Sequence, residues 1–293
     1  MNTHAIFGTD LSPASDKLIE CAFNYKNLGI ARITLVHALG LKHIQAFEDM
    51  LRQGVEEKLG MQKKKLEEQD FEVDTRVVKH LPKDEFRSLA KDIDAALIII
   101  GTHGISLTKA LIGSTATELL HNITHPLLLM ALKTVETDDG KKEELFCRKL
   151  TGRILFPTDF SDTAEAAFQW IKNREAPLPK LTLLHVQDEV KIGKYLKDKL
   201  EEFNRIDGER LGRLKKSFNE AHPETDIEIV IDYGKPRKVI LNYIKENEVC
   251  LTVMGSQGRG YIPEFFLGSV SHQVARNSGS NVLFVPLPGK QKN

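Results

Sequence analysis

At 293 residues the chain is long enough for two domains, and 41 Lys and Arg against 41 Asp and Glu leave it without net charge. That balance removes the electrostatic footprint expected of a protein whose main partner is nucleic acid or an anionic membrane. The three cysteines, Cys21, Cys147 and Cys250, are scattered, odd in number and without metal-ligand spacing, which argues against a disulfide framework or a structural zinc and for a reducing cytoplasm.

Apolar runs rich in β-branched residues alternate with longer amphipathic segments, the pattern of a parallel sheet covered by helices. In chain order, strands are expected near His4–Thr9, Arg32–Leu39, Glu72–Lys79, Ala95–Gly101 and Pro126–Ala131. Helices fill the gaps: Ser12 or Ser15 can cap the first, and a long charged one runs from about Lys42 to Gln69. Pro82 opens the third at its first turn and Ser114 can cap the fourth. The run Lys63-Lys64-Lys65, beside Glu67 and Glu68, reads as a solvated helix face. The segment Lys133 to Leu150, with Thr137-Asp138-Asp139-Gly140-Lys141-Lys142 inside it, reads as a polar, flexible connection. Further strands are expected near Arg153–Pro157, Lys180–Val186, Asp226–Asp232, Val249–Gly255 and Asn281–Val285, with Pro236 opening a helix as Pro82 does. The tail from Pro286 reads as frayed. No stretch approaches the roughly 20 apolar residues needed to cross a bilayer. The amino terminus lacks the basic start and apolar segment of a secretory signal, so a soluble, cytoplasmic protein is expected.

The second half repeats the first. Ile6-Phe7-Gly8-Thr9-Asp10-Leu11-Ser12 returns as Leu155-Phe156-Pro157-Thr158-Asp159-Phe160-Ser161. The glycine cluster Gly101-Thr102-His103-Gly104 with Gly113-Ser114 returns as Gly255-Ser256-Gln257-Gly258 with Gly268-Ser269. A repeat of this length is a domain, and the expected division is a first domain over 1–133, a linker over 134–149 and a second domain over 150–288.

In an open parallel sheet, ligands bind outside the carboxyl ends of the strands where strand order reverses, and the glycine clusters fall at such ends. Gly255 is expected to let a ligand approach the backbone, and Gly258 to permit a tight turn. Gly268-Ser269 opens a helical pattern, and free amides with the helix dipole favour a phosphate there. Asp10 and Asp159, ending the first strand of each half, can accept hydrogen bonds from an amino group or a ribose hydroxyl. Each can equally well serve as turn chemistry for the helix that follows.

Gly255-x2-Gly258-x9-Gly268-Ser269, the Pro157-Thr158-Asp159-Phe160-Ser161 opening and the Leu184-His185-Val186 strand end resemble the ATP-binding class of the universal stress protein family. The resemblance covers both halves nearly end to end and implies two tandem α/β domains, each an open five-stranded parallel sheet, packed as a pseudo-dimer through Pro126–Ala131 and Asn281–Val285. It implies a stress-endurance role and an adenine-nucleotide pocket for ATP or AMP, with magnesium or manganese expected to accompany a triphosphate. A homodimer and a protein partner of unknown identity are further implied.

In the second half the resemblance places Asp159 at the adenine and ribose end. Pro157 and Thr158 line the strand end and Val186 gives backbone contact to the base. Met254 and Gly255 lie under the ribose, Gln257 and Gly258 near the phosphates, and Gly268, Ser269 and Val270 around the phosphate tail. Gln257 departs from the family's frequent histidine. The corresponding first-half residues are Gly8, Thr9, Asp10, Ala38, Ile100, Gly101, His103, Gly104, Gly113, Ser114 and Thr115. There the segment between Gly104 and Gly113 is one residue shorter than the family spacing, and the second half is expected to bind more tightly.

Other constellations point elsewhere less well. Neither a Walker A signature nor a Gly-x-Gly-x-x-Gly after a first strand occurs. His37 and His185 recur at the ends of the second strands, where a packing or turn-forming role is favoured over catalysis. His121, His125 and His272 read as surface or interface residues. Lys109 and Arg259 lie between the glycine pairs, within reach of a triphosphate or simply solvated, and Phe265-Phe266-Leu267 reads as loop packing or a contact. No catalytic residue is assigned. A slow ATP hydrolase and a scaffold without nucleotide are the rivals to a regulatory nucleotide binder.

Overall fold

The computed structural model describes residues 3–39, 48–78, 83–102, 113–137, 140–145, 149–176, 178–193, 199–258 and 267–287. The chain divides into two compact units, Met1–Arg148 and Lys149–Asn293.

The first unit runs β1 (His4–Gly8), α1 (Pro13–Glu20), α2 (Phe23–Lys26), β2 (Arg32–Ala38), α3 (Glu48–Glu67), β3 (Glu72–Val78), α4 (Lys83–Asp92), β4 (Leu97–Gly101), α5 (Ser114–His121) and β5 (Leu127–Met130). It ends with β6 (Leu132–Thr137) and β7 (Gly140–Leu145). Its sheet is parallel, in the order β3-β2-β1-β4-β5. The second unit runs β8 (Ile154–Pro157), α6 (Asp162–Lys172), β9 (Lys180–Asp188), α7 (Glu189–Ile192), α8 (Leu200–Ala221), β10 (Asp226–Gly234), α9 (Pro236–Glu246), β11 (Leu251–Gly255), α10 (Ser269–Asn277) and β12 (Asn281–Val285). Its parallel sheet has the same order, β10-β9-β8-β11-β12. Strand order therefore reverses between β1 and β4, and again between β8 and β11, which is where a ligand crevice forms.

The central strands are apolar on both faces because helices cover both. Ile154–Pro157 and Leu251–Gly255 are buried throughout. Aromatic rings fasten helices to the sheets: Phe7 meets Tyr25 at 6.2 Å between centroids, and Phe168 bridges Phe156 at 5.6 Å and Phe218 at 5.9 Å. Each fully buried ring of this kind contributes on the order of 2–3 kcal/mol by removal from water.

Three sequence expectations need correction. The segment read as a flexible connection forms an antiparallel hairpin, β6 on β7, whose register sets Lys133 opposite Glu144 and Glu136 opposite Lys141. Pairing across strands is a property invisible to a reading of local polarity. Ser114 is the first helical residue of α5 and Gly113 is its N-cap. Cys250 is disulfide-bonded and Cys21 is not; proximity in the fold, not sequence spacing, decides pairing. Pro82 lies outside the described residues. Among those described, no helix is long and apolar enough to cross a membrane.

Candidate functional site

In the second unit the site begins where β8 ends. Thr158 Oγ1 accepts the Phe160 amide at 3.0 Å, and Asp159 Oδ1 accepts the Ser161 amide at 3.1 Å. These two bonds fold the chain so tightly that Phe160 takes φ 59°, a left-handed value uncommon for a residue with a Cβ. Ser161 then caps α6, its hydroxyl accepting from the Ala164 amide at 3.3 Å. Asp159 thus supports the turn through one oxygen, and its other oxygen faces elsewhere. A Cβ built on Gly258 would stand 2.8 Å from Asp159 Oδ2, so the carboxylate lies directly against the glycine loop.

The glycine loop is close-packed. A Cβ on Gly268 would meet Gln257 Cα and the Gly258 nitrogen at 3.3 Å, and the Gly268 amide donates to Ser256 O at 2.8 Å. Gly268 is the N-cap of α10, so the helix amino terminus sits beside Gln257 and Gly258. Gly255 has a packing part that the sequence did not announce. Its missing side chain leaves room for α6, since a Cβ there would stand 2.6 Å from Thr163 Oγ1 and 2.8 Å from the Ala164 nitrogen. What approaches its backbone is the chain itself. Val186 and Met254 are almost fully buried, Val270 is half-buried on α10, and Ser269 is exposed.

A cluster unannounced by the sequence braces the Asp159 loop. The Phe160 ring packs against His185, at 4.7 Å between centroids, and against the Arg210 guanidinium, 4.4 Å from the ring centroid. Asp207 on α8 joins them, 3.4 Å from His185 Nε2 and 3.6 Å from Arg210. Gln187 donates to the same carboxylate at 3.3 Å. His185 Nδ1 bonds the Thr158 carbonyl at 2.7 Å, and His37 Nδ1 bonds the Thr9 carbonyl at 2.9 Å. The recurring histidines hold the turn after the first strand. Asp207 and Arg210 are three residues apart on a charged helix, a pattern that by itself signals only a solvated face.

The first unit builds the same turn with different partners. Leu11 takes φ 58°, Thr9 Oγ1 accepts the Leu11 amide at 3.0 Å, and Ser12 caps α1. Asp10 Oδ1 accepts both the Ser12 amide at 3.0 Å and the Ser15 hydroxyl at 2.6 Å. Burial pushes the Asp10 carboxyl up, but the hydrogen bonds from Ser12 and Ser15 outweigh it and hold the group below its ordinary range. Thr9 also donates to Gln62, which in turn donates to Asp16, tying α1, α3 and the turn together. Gly8 permits close packing, since a Cβ there would lie 2.9 Å from Ile100 Cγ2. The Gly113 amide donates to Thr102 O at 3.0 Å, as Gly268 does to Ser256. Gly101 and Thr115 are half-buried, and Ala38 closes β2. His103, Gly104 and Lys109 lie outside the described residues, as do Arg259, Phe265 and Phe266.

A separate shallow hollow, open to solvent and of about 10 Å³, is lined by Arg87, Ile98, Leu119, His125 and Leu127 among others. Ile98 and Leu127 stand near the amino ends of their strands, so this hollow is remote from the turn after β1. His125, half-buried there, has its pKa lowered by burial and, less, by Arg87.

The family model described as "Universal stress protein family" matches residues 1–130 and again 151–286. The chain belongs to the universal stress protein family. A universal stress protein of Methanocaldococcus jannaschii is 31% identical over 159 residues, spanning 48% of this chain and 96% of the relative. One from Mycolicibacterium smegmatis is 25% identical over 295 residues, covering 96% of each chain. The crystal structure of a universal stress protein from Archaeoglobus fulgidus DSM 4304 matches with a TM-score of 0.72 at 23% identity, covering 98% of this chain and 99% of that one. The fold shared along the whole chain is thus that of two universal stress protein domains in tandem.

Proposed function

We propose that the protein is a regulatory stress-response protein that binds an adenine nucleotide, ATP or AMP, at the carboxyl ends of β8 and β11. The observation that carries this reading is the placement of Asp159 Oδ2 against Gly258, with the amino terminus of α10 packed on the same glycine loop. A carboxylate beside a backbone turn and a helix amino terminus offers acceptors for the hydroxyls or amino group of a nucleoside and amide donors for its phosphates. Asp159, with Pro157, Thr158 and Val186, takes the nucleoside end; Gln257, Gly258, Gly268, Ser269 and Val270 take the phosphates. Met254 and Gly255 support the loop from behind.

The second unit is the stronger site. In the first, the Ser12 amide and the Ser15 hydroxyl both tie Asp10 Oδ1 to its own turn, whereas position 164 of the second unit is Ala and adds no such hydroxyl. Magnesium or manganese accompanying ATP would be held chiefly by the phosphates, as is usual for these ions with a triphosphate.

Mass spectrometry of small molecules released by heat from freshly purified protein, followed by titration of the stripped protein with ATP and AMP, tests the reading. Release or saturable binding of an adenine nucleotide is expected. Absence of both contradicts it.

A further inference from the structure

We propose that Thr163 is a positioning residue of this site: its hydroxyl fixes the Gln257–Gly258 peptide so that the Gly258 N–H is presented to the phosphate end of the nucleotide. The inference rests on the nucleotide reading above and adds a residue that no glycine pattern contains. Thr163 is buried, 4% exposed, in the first turn of α6. Its hydroxyl donates to the Gln257 carbonyl, and the Ser161 hydroxyl lies 3.2 Å from Thr163 Oγ1 itself. A continuous path thus runs from Asp159 through Ser161 and Thr163 to the glycine loop.

The neighbouring carbonyls are held as well. Ser271 Oγ donates to Gly255 O at 3.0 Å and the Gly268 amide to Ser256 O at 2.8 Å, so three successive carbonyls accept bonds from three separate donors. A trans peptide is planar, with its C=O and N–H pointing in opposite directions, and no peptide bond described here is cis. Drawing the Gln257 carbonyl toward α6 therefore turns the Gly258 N–H away from α6. Gly255 is the complement of this arrangement, because any side chain on it would collide with Thr163. Remove the hydroxyl and the Gln257 carbonyl loses a buried donor, which frees the peptide to rotate. The first unit has Ala14 at the corresponding position, with no hydroxyl to supply.

The test titrates ATP and adenosine into the full-length protein and its Thr163→Ala, Thr163→Val and Thr163→Ser variants. Thr163→Val keeps the shape and loses the donor; Thr163→Ser keeps the donor. ATP affinity is expected to fall about tenfold in the Ala and Val variants and to return to within about twofold in the Ser variant. Adenosine affinity, which does not sense the Gly258 amide, is expected to stay within about twofold throughout. Unchanged ATP binding in the Val variant overturns the proposal. So does an equal loss for ATP and adenosine, which assigns Thr163 to packing alone. A parent protein that binds neither ligand removes the nucleotide reading itself and this inference with it, a result distinct from either of the others.

Discussion

The two units make the same turn after their first strand and spend one hydroxyl group differently. Residues 14 and 15 of the first unit are Ala and Ser; the corresponding residues of the second, 163 and 164, are Thr and Ala. In the first unit the hydroxyl reaches back to Asp10, and in the second it reaches across to the carbonyl of Gln257. Moving an oxygen by one position along a helix changes what it serves, because successive helical residues point about 100° apart. One copy satisfies its own carboxylate. The other fastens its glycine loop and leaves an alanine beside Asp159.

The largest expected effect sets Gly255 against Gly8. Gly255→Ala drives a methyl into the backbone of Thr163 and Ala164, which cannot move aside without unseating α6, and should cost about 3 kcal/mol. Gly8→Ala crowds a methyl of Ile100 at 2.9 Å, with the Phe86 ring no nearer than 3.5 Å, and should cost about 1 kcal/mol. Urea denaturation of both full-length variants measures the gap, and equal midpoints would break the contrast.

On binding, Asp159→Ala should weaken ATP by about 100-fold, the scale of losing charge-assisted bonds to a ligand, whereas Asp10→Ala should change it by less than about threefold. Competition titration of the two variants reads this directly. Equal losses would place a working site in each unit.

The acid limb of stability should separate the units more gently. Because Asp10 has its pKa lowered on folding, its stabilising contribution is fully present above its unfolded value, about 3.9, and is lost as pH falls through the lower folded value. Ser15→Ala removes the shortest of the bonds responsible, so it should flatten the fall in stability below about pH 4. At neutral pH it should cost under about 1 kcal/mol, since Asp10 is half-exposed. Melting curves from pH 3 to 7 check the sign; a steeper acid limb in the variant would contradict it. Smallest of all, Arg210→Ala removes a half-exposed cation from the Phe160 ring and should cost about 0.5 kcal/mol in the second unit.

Much of this architecture was legible from residue patterns. Ile98-Ile99-Ile100 and Val253-Met254 are too apolar for a strand with one wet face, and Pro236 marks a helix start, so parallel sheets under helices followed. The hairpin Leu132–Leu145 was not legible, because Asp138-Asp139-Gly140 is loop chemistry locally and the pairing of Lys133 with Glu144 exists only across strands. At the site, Asp159 and the glycine cluster announced themselves by recurring in order. That α6 packs on Gly255 was not legible, because a glycine that admits a ligand and one that admits a neighbouring helix look alike in a sequence. Asp207 and Arg210 were hidden on a charged helix, and Thr163 acquires meaning only when its hydroxyl is seen to reach Gln257.

The most direct measurement is an ATP titration of Ala164→Ser, which gives the second unit the serine that the first unit uses against its aspartate. If hydroxyl placement decides which carboxylate serves a ligand, the new serine ties Asp159 Oδ1 to its own turn and draws the carboxylate away from Gly258, and ATP affinity falls by about tenfold, with thermal stability unchanged or slightly raised. Wild-type affinity in that variant would contradict the account.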